Sequence, residues 1–341
     1  MTNISVAMAT YNGEKYIAEQ LQSLADQSHL PFELVIGDDG SSDSTLDIIK
    51  DFRAHAPFSV HIHQNETNLG FARNFLATAK RCKGNWIAFC DQDDFWLPDK
   101  LAKTVDDICR TPNCSMVLQN AWLCDKDLNS RGRKFPNKLK AGIHDPGHQY
   151  GFWVWLGFLQ TVHQDIIQLW DSSALPKNYF PGHSEYSHDK WTCLIANALG
   201  SIIVCDESVA LYRRHEDALT GSYSQQSFRK RVIKARGVLG DHYDFLADVA
   251  KDCEEYMKCL AERTDKPAWA SAFRKNAQQF CHLSEIQRLR GQLYAGPRFR
   301  ERLTTCMQIA GMGGYLGQPF HAMGMRSAVK DIIRVAAGSR L

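Results

Sequence analysis

The chain has 341 residues, 44% apolar and 11% aromatic, which suits about two packed domains and excludes a disordered or low-complexity polypeptide. Its net charge of +2 hides an asymmetry: residues 1–223 hold 20 Lys/Arg against 27 Asp/Glu, and residues 224–341 hold 20 against 11. An acidic front part excludes a nucleic-acid groove, because phosphate binding needs a cationic surface to displace counterions.

Met1-Thr2-Asn3-Ile4-Ser5 runs straight into a strand pattern, without the basic and then long apolar segment of a secretory leader. From residue 3 to about residue 120, short apolar runs alternate with amphipathic stretches. The order is Ile4–Ala9, Glu14–Ala25, Glu33–Gly37, Ser44–Phe52, Val60–His63, Gly70–Cys82, Trp86–Cys90, Asp99–Cys109 and Ser115–Gln119. Strands separated by helix-length segments imply βαβ units, hence an α/β, doubly wound, mostly parallel sheet with helices on both faces. Ligands of such sheets bind at the carboxyl ends of the strands. The residues there are Thr10-Tyr11-Asn12-Gly13, Asp38-Asp39-Gly40-Ser41, Asn65-Glu66-Thr67-Asn68 and Asp91-Gln92-Asp93-Asp94.

Residues 121–182 have little periodicity and read as loops and irregular strands over that edge, where acceptor contacts would lie. Within them the longest apolar window, residues 151–159, is about half the length of a membrane-spanning helix. A helix is expected over residues 187–199, a strand over Ser201–Cys205 and a strand-like Ser208–Leu211. Beyond Gln225 the pattern is helical, over Phe228–Leu239, Tyr243–Ala261, Trp269–Leu293 and Ser327–Val335. The expected division is therefore a sheet domain at 1–223 and a basic helical region at 224–341. The 11 cysteines are scattered, with no Cys-x-x-Cys pair, and read as reduced thiols of a cytoplasmic protein.

Asp91, Asp93 and Asp94 directly follow the apolar run Trp86–Phe89. Carboxylates this close repel one another, so the run is either a loop of solvated acids or a site for a cation. Asp38-Asp39-Gly40-Ser41-Ser42-Asp43 supports either a turn followed by helix caps or a polar contact to a ligand. Asp189, in Ser187-His188-Asp189-Lys190-Trp191, opens a helix and suits the positive end of its dipole.

Taken together, Thr10-Tyr11-Asn12-Gly13, residues 35–43, Asn68-Leu69-Gly70-Phe71 and Asp91-Gln92-Asp93-Asp94-Phe95-Trp96-Leu97-Pro98-Asp99-Lys100-Leu101 resemble the family 2 glycosyltransferases. These are inverting enzymes of the GT-A fold, and the likeness covers roughly residues 3–215. The Asp-Gln-Asp-Asp form is most similar to bacterial enzymes of surface-polysaccharide synthesis, such as O-antigen and capsule, and to rhamnosyltransferases especially. The resemblance implies a dTDP- or UDP-sugar donor and Mg²⁺ or Mn²⁺ as cofactor. Asp39 would accept a hydrogen bond from the pyrimidine imide, with Tyr11 stacked on the base and Thr10 and Asn12 nearby. Asp93 would be the metal ligand, and Asp91 would meet the ribose or a metal-bound water. Arg73 would lie near the donor, Arg213 and Arg214 near its diphosphate, and Asp189 would be the catalytic base. Asp94, Trp96 and His188 would face the acceptor, a lipid-linked or surface glycan, with rhamnose, a hexose or an N-acetylhexosamine transferred.

Two rivals stand beside this reading. A sugar nucleotidyltransferase needs a Gly-rich, cationic triphosphate loop after the first strand, and Ala9–Tyr16 offers one glycine and one lysine. A non-catalytic scaffold of a polysaccharide-assembly complex stays open. Residues 228–236 interleave five cations with apolar residues, either as a peripheral membrane contact at the inner face of the plasma membrane or as a solvated face. Donor sugar, acceptor, linkage and oligomeric state are not legible.

Overall fold

A computed structural model describes residues 2–134, 139–179, 186–215 and 240–337. The basic segment 228–236 lies outside the described residues. Two compact units divide the chain. The first comprises Met1–Pro146, Val154–Ser172 and Ser187–Ser222, and the second Gly147–Trp153, Ser173–Tyr186 and Tyr223–Leu341.

The first unit is built on β1 (Ile4–Thr10), β2 (Glu33–Asp38), β3 (Ser59–Gln64), β4 (Trp86–Cys90), β5 (Phe95–Trp96), β6 (Cys114–Cys124), β7 (Ser130–Lys134), β8 (Gly142–His144), β9 (Gln160–His163) and β10 (Ser201–Arg213). The sheet order is β3-β2-β1-β4-β9-β6-β10-β5, with β7 on β6 and β8 on β10. Strands β3, β2, β1 and β4 are parallel, as are β6 and β10, while β9 runs antiparallel between β4 and β6. Every residue of β2 and β4 is buried, as a parallel strand covered on both faces requires. β3 instead alternates in exposure and carries His61, His63 and Gln64, the polar pattern of an edge strand.

Helices α1 (Ile17–Ala25), α2 (Thr45–His55), α3 (Phe71–Arg81) and α4 (Lys100–Arg110) connect these strands, and α5 (Gln164–Gln168) and α6 (His188–Leu199) follow. Each of α1 to α4 begins and ends within about three residues of its expected position; α1 starts late because Gly13 to Tyr16 form a turn. The expected strands at Ser201–Cys205 and Ser208–Leu211 are one continuous β10. Its register against β6 shifts between Val204 and Ala210, so the break in apolar pattern is a bulge and not a loop.

The chain visits β1, moves outward through β2 and β3, then returns to the other side of β1 for β4. That reversal opens a crevice at the carboxyl ends of β1 and β4.

In the second unit, helices Gly240–Arg263 and Pro267–Ala295 pack along each other, and helices Phe299–Gly311 and Met325–Ala337 complete it. Helix Phe299–Gly311 was not expected from the sequence. Segment 147–153 joins this core: Gly151 N–H donates to Phe320 O at 2.9 Å, and the Phe152 ring lies 6.5 Å from Phe280. The apolar window 151–159 is thus shared between units, since the Trp155 indole donates to Gln119 O on β6 at 2.9 Å. No described helix is long and apolar enough to cross a membrane.

All 11 cysteines are free. Burial pushes the Cys90 and Cys193 thiols well above their usual range, leaving them as inert core groups.

Candidate functional site

The crevice between β1 and β4 is tied shut at its base by a side chain that sequence reasoning passed over. Gln92 Oε1 accepts from Tyr11 N at 3.0 Å, and its Nε2 donates to Tyr11 O at 3.1 Å, so one amide satisfies both polar groups of that peptide. Gly13 makes room for it, because a Cβ there would sit 2.4 Å from Gln92 Oε1. Held this way, the Tyr11 ring is 52% exposed and offers a flat apolar face at the crevice. Asn12, in the left-handed region at φ 47°, accepts from Ser42 N at 2.8 Å and donates its own N–H to Ser41 Oγ at 3.0 Å.

The two aspartates after β2 separate in role. Asp38 is spent on the turn, accepting from Thr10 Oγ1 at 2.9 Å, from the N–H groups of Gly40 and Ser41, and from Ser41 Oγ. Thr10 is buried under this contact. Asp39 Oδ1 accepts from Leu69 N and Asn65 Nδ2, and its Oδ2 from Gly70 N at 2.9 Å. It thereby anchors the loop that starts α3, and Arg73 sits exposed on that helix's first turn.

Beyond β4, Asp91, Asp93 and Asp94 each bring a carboxylate oxygen within 4.8 Å of the others'. Burial, followed by the charges of Asp93 and Asp189, pushes Asp91 up to about 8. Asp94 is pushed well above the usual carboxylate range by burial and by Asp93 and Asp91. Its Oδ1 accepts from Arg213 N at 3.0 Å, whereas its buried Oδ2 has no partner among the described residues. A carboxylate oxygen buried without a donor is costly. Clustered hard oxygens of this kind suit Mg²⁺ or Mn²⁺.

Arg213 lies beneath the acids and not over them. It is 3% exposed, donates to Asp93 O at 2.8 Å, to Lys126 O at 2.5 Å and to Glu19 Oε2, and stacks 4.5 Å from the Tyr16 ring. Its donors hold the backbone of the acidic turn in place. His215 Nε2 lies 2.9 Å from Asp93 Oδ2, also against Tyr16. Arg214 donates to Tyr212 OH at 2.7 Å. Gln92, Glu19 and Tyr16 were missed because each acts through a partner distant in sequence; only Gln92, inside the acidic run, carried a local signal.

Asp189 stands in the first turn of α6. Its Oδ1 accepts from Ser187 Oγ and from Lys190 N at 2.8 Å, and its charge contributes to raising Asp91. Trp96 and His188 pack into the interior. Trp96 is 1% exposed with Lys100 Nζ 4.6 Å over its ring, and burial brings that amine down to about 7. His188 is 5% exposed, within 4.2 to 6.3 Å of the rings of Phe75, Phe89 and Phe71. Gly157 admits it, since a Cβ there would meet Nε2 at 2.2 Å.

Neither ring nitrogen of His188 has a partner among the described residues, and burial pushes it from the ordinary 6.5 down to about 4, with Asp189 opposing weakly. Between those values the unfolded chain takes up a proton that the folded chain refuses. Stability is therefore full above about pH 6.5 and falls as the pH drops toward 4, by up to about 3 kcal/mol from this residue. In urea unfolding followed against pH, His188→Leu should remove that slope. An unchanged slope would assign the acid sensitivity to other groups.

Residues 5–165 match the family model described as Glycosyl transferase family 2. Over that stretch, a little under half of the chain, the sequence is similar to the family 2 glycosyltransferases. It is 38% identical over 103 residues to the dTDP-rhamnosyl transferase RfbG of Shigella flexneri, covering 29% of this chain and 36% of that one. An uncharacterized protein of Mycobacterium tuberculosis is 26% identical over 237 residues, 69% of this chain and 64% of its own length. The chain thus spans less than two thirds of the curated relatives it matches. The fold is that of the GT-A glycosyltransferases: S. aureus TarS 1–349 in complex with UDP-GlcNAc superposes with a TM-score of 0.54 at 18% identity, over 99% of this chain and 90% of that one.

Proposed function

We propose that this glycosyltransferase domain is metal-dependent and inverting, moving a sugar from a dTDP- or UDP-linked donor to a hydroxyl of a growing surface glycan on a lipid carrier. The observation that carries this reading is the convergence of Asp91, Asp93 and Asp94 at the crevice where the sheet order reverses, with Asp189 near enough for its charge to help raise Asp91. The rhamnosyl transferase relative supports a dTDP-rhamnose donor, and the UDP-GlcNAc complex of TarS keeps UDP-N-acetylhexosamine as the next choice. The catalytic region would be residues 1–223, at the cytoplasmic side of the membrane, with 224–341 as its helical appendage.

The nucleoside's pyrimidine ring would lie on the exposed face of Tyr11. Asp39 Oδ2, which takes one hydrogen bond from Gly70, keeps a lone pair for the base imide. Asp93 and Asp91 would hold a divalent cation, with the unpartnered Asp94 Oδ2 beside them; such an ion neutralises charge on a departing diphosphate. Protons and a cation would compete for the oxygens of Asp91 and Asp94, because both carboxyls are raised. Asp189 would take the acceptor hydroxyl's proton as its oxygen bonds the anomeric carbon from the face opposite the leaving diphosphate. Arg213 keeps the acidic turn in register beneath.

Donor-only hydrolysis tests the reading. Slow, Mn²⁺-dependent release of dTDP or UDP from a sugar nucleotide is the expected result. Pyrophosphate release from a nucleoside triphosphate and a sugar phosphate would indicate a nucleotidyltransferase, and neither activity would indicate a scaffold.

A further inference from the structure

The two final helices of the second unit present a surface that ordinary solvation does not explain. Arg302, early in helix Phe299–Gly311, donates through Nε and Nη2 to Val335 O, late in helix Met325–Ala337, so the pair is antiparallel. Cys306, Ala328 and Val335 share the buried cluster beneath them. The rotation of the last helix is fixed by Asp331, which is fully buried. Its carboxylate accepts from Arg290 Nε and Nη2 at 2.9 and 2.7 Å and from the hydroxyls of Tyr294 and Tyr315 at 3.0 Å each.

With Asp331 turned inward, the opposite side of that helix presents Met325, Val329, Ile332 and Ile333, each between 51% and 58% exposed. The neighbouring helix adds Phe299, Leu303 and Met307, four residues apart, at 41% to 67%. Single exposed apolar residues are ordinary, but two adjacent helical rows form a patch of the kind that meets a partner. The surrounding charge is one-sided. Residues 296–341 contain seven Lys/Arg and two Asp/Glu; Asp331 and Arg302 are buried in the core, leaving Glu301 as the one acid against six cations. Arg298, Arg300 and Arg326 are exposed beside the apolar rows.

We propose that this face docks on an anionic lipid surface, its apolar rows entering the acyl boundary and its arginines meeting headgroup phosphates. A second copy of the chain is the poorer occupant, because self-association would bring two cationic rims together. The surface is formed by residues other than 228–236, and its lipid contact does not depend on the donor chemistry proposed above.

Co-sedimentation of the full chain with phosphatidylcholine vesicles, with and without phosphatidylglycerol, tests the proposal. Binding should require the anionic lipid and weaken with salt. The variant Leu303→Ser/Ile332→Ser/Ile333→Ser changes exposed side chains only and should bind about tenfold more weakly or worse, with unfolding temperature and nucleotide binding unchanged. The proposal is overturned if the wild type stays in the supernatant, or if the variant binds as the wild type does. It is equally overturned if ultracentrifugation without lipid shows a dimer that the variant converts to monomer. Loss of donor hydrolysis with vesicle binding retained would count against the enzymatic reading alone.

Discussion

Replacing Asp189 by asparagine is expected to lower turnover by about a hundredfold to ten-thousandfold while leaving nucleotide affinity unchanged. Asparagine keeps the shape and can still accept from Ser187 and from Lys190 N, so the first turn of α6 should hold its form. What disappears is the charge that can receive a proton, and with it one of the charges that raise Asp91. A residue that merely complements the helix dipole would instead cost a few tenths to about 1 kcal/mol of stability and little rate. Single-turnover transfer, measured beside calorimetric binding of dTDP or UDP, separates the two roles. Near-normal transfer by Asp189→Asn would remove the base assignment.

The second large effect is expected at Asp93. In Asp93→Ala, Mn²⁺-dependent nucleotide binding should fall below detection by calorimetry, because the cation loses the acid central to the cluster. The stability of the nucleotide-free protein should not fall in step. Asp93 contributes to raising both Asp91 and Asp94, and relief of that repulsion offsets the lost contact with His215 at 2.9 Å. Function lost without stability lost marks a residue kept for a ligand. Unchanged nucleotide affinity with Mn²⁺ present would withdraw the metal role from Asp93.

Strands β1, β2 and β4 of the parallel half were legible because they are buried on both faces and read as unbroken apolar runs, as in Ile4–Ala9 and Trp86–Cys90. Helices α1 to α4 were legible through their one-sided patterns. The stretch from 121 to 182 was not, because β7, β8 and β9 are three to five residues long and take their pairing from strands remote in sequence. Helix Phe299–Gly311 was missed for the opposite reason: three of its large apolar side chains point outward, so its pattern does not describe a core-facing stripe.

At the candidate site, crowded like charge was the readable signal, which is why Asp91, Asp93 and Asp94 stood out together. Residues that act by pairing gave little, Gln92 only through its place inside the acidic run. Gln92 reaches Tyr11 across 81 positions, and Arg213 reaches Glu19 across 194. Residue type also misleads where tertiary burial decides the outcome. His188 and Trp96 carry binding-competent groups, yet both are enclosed by packing that no spacing along the chain reveals.

The central claim is that the acids at the β1–β4 crevice share one divalent cation with the donor's diphosphate. Anomalous diffraction from crystals grown with Mn²⁺ and UDP or dTDP measures this directly. The account predicts a manganese peak within bonding distance of an Asp93 oxygen, bridged to both phosphates, with the base against Tyr11. A nucleotide seated elsewhere, or a peak remote from Asp91 and Asp93, would contradict it.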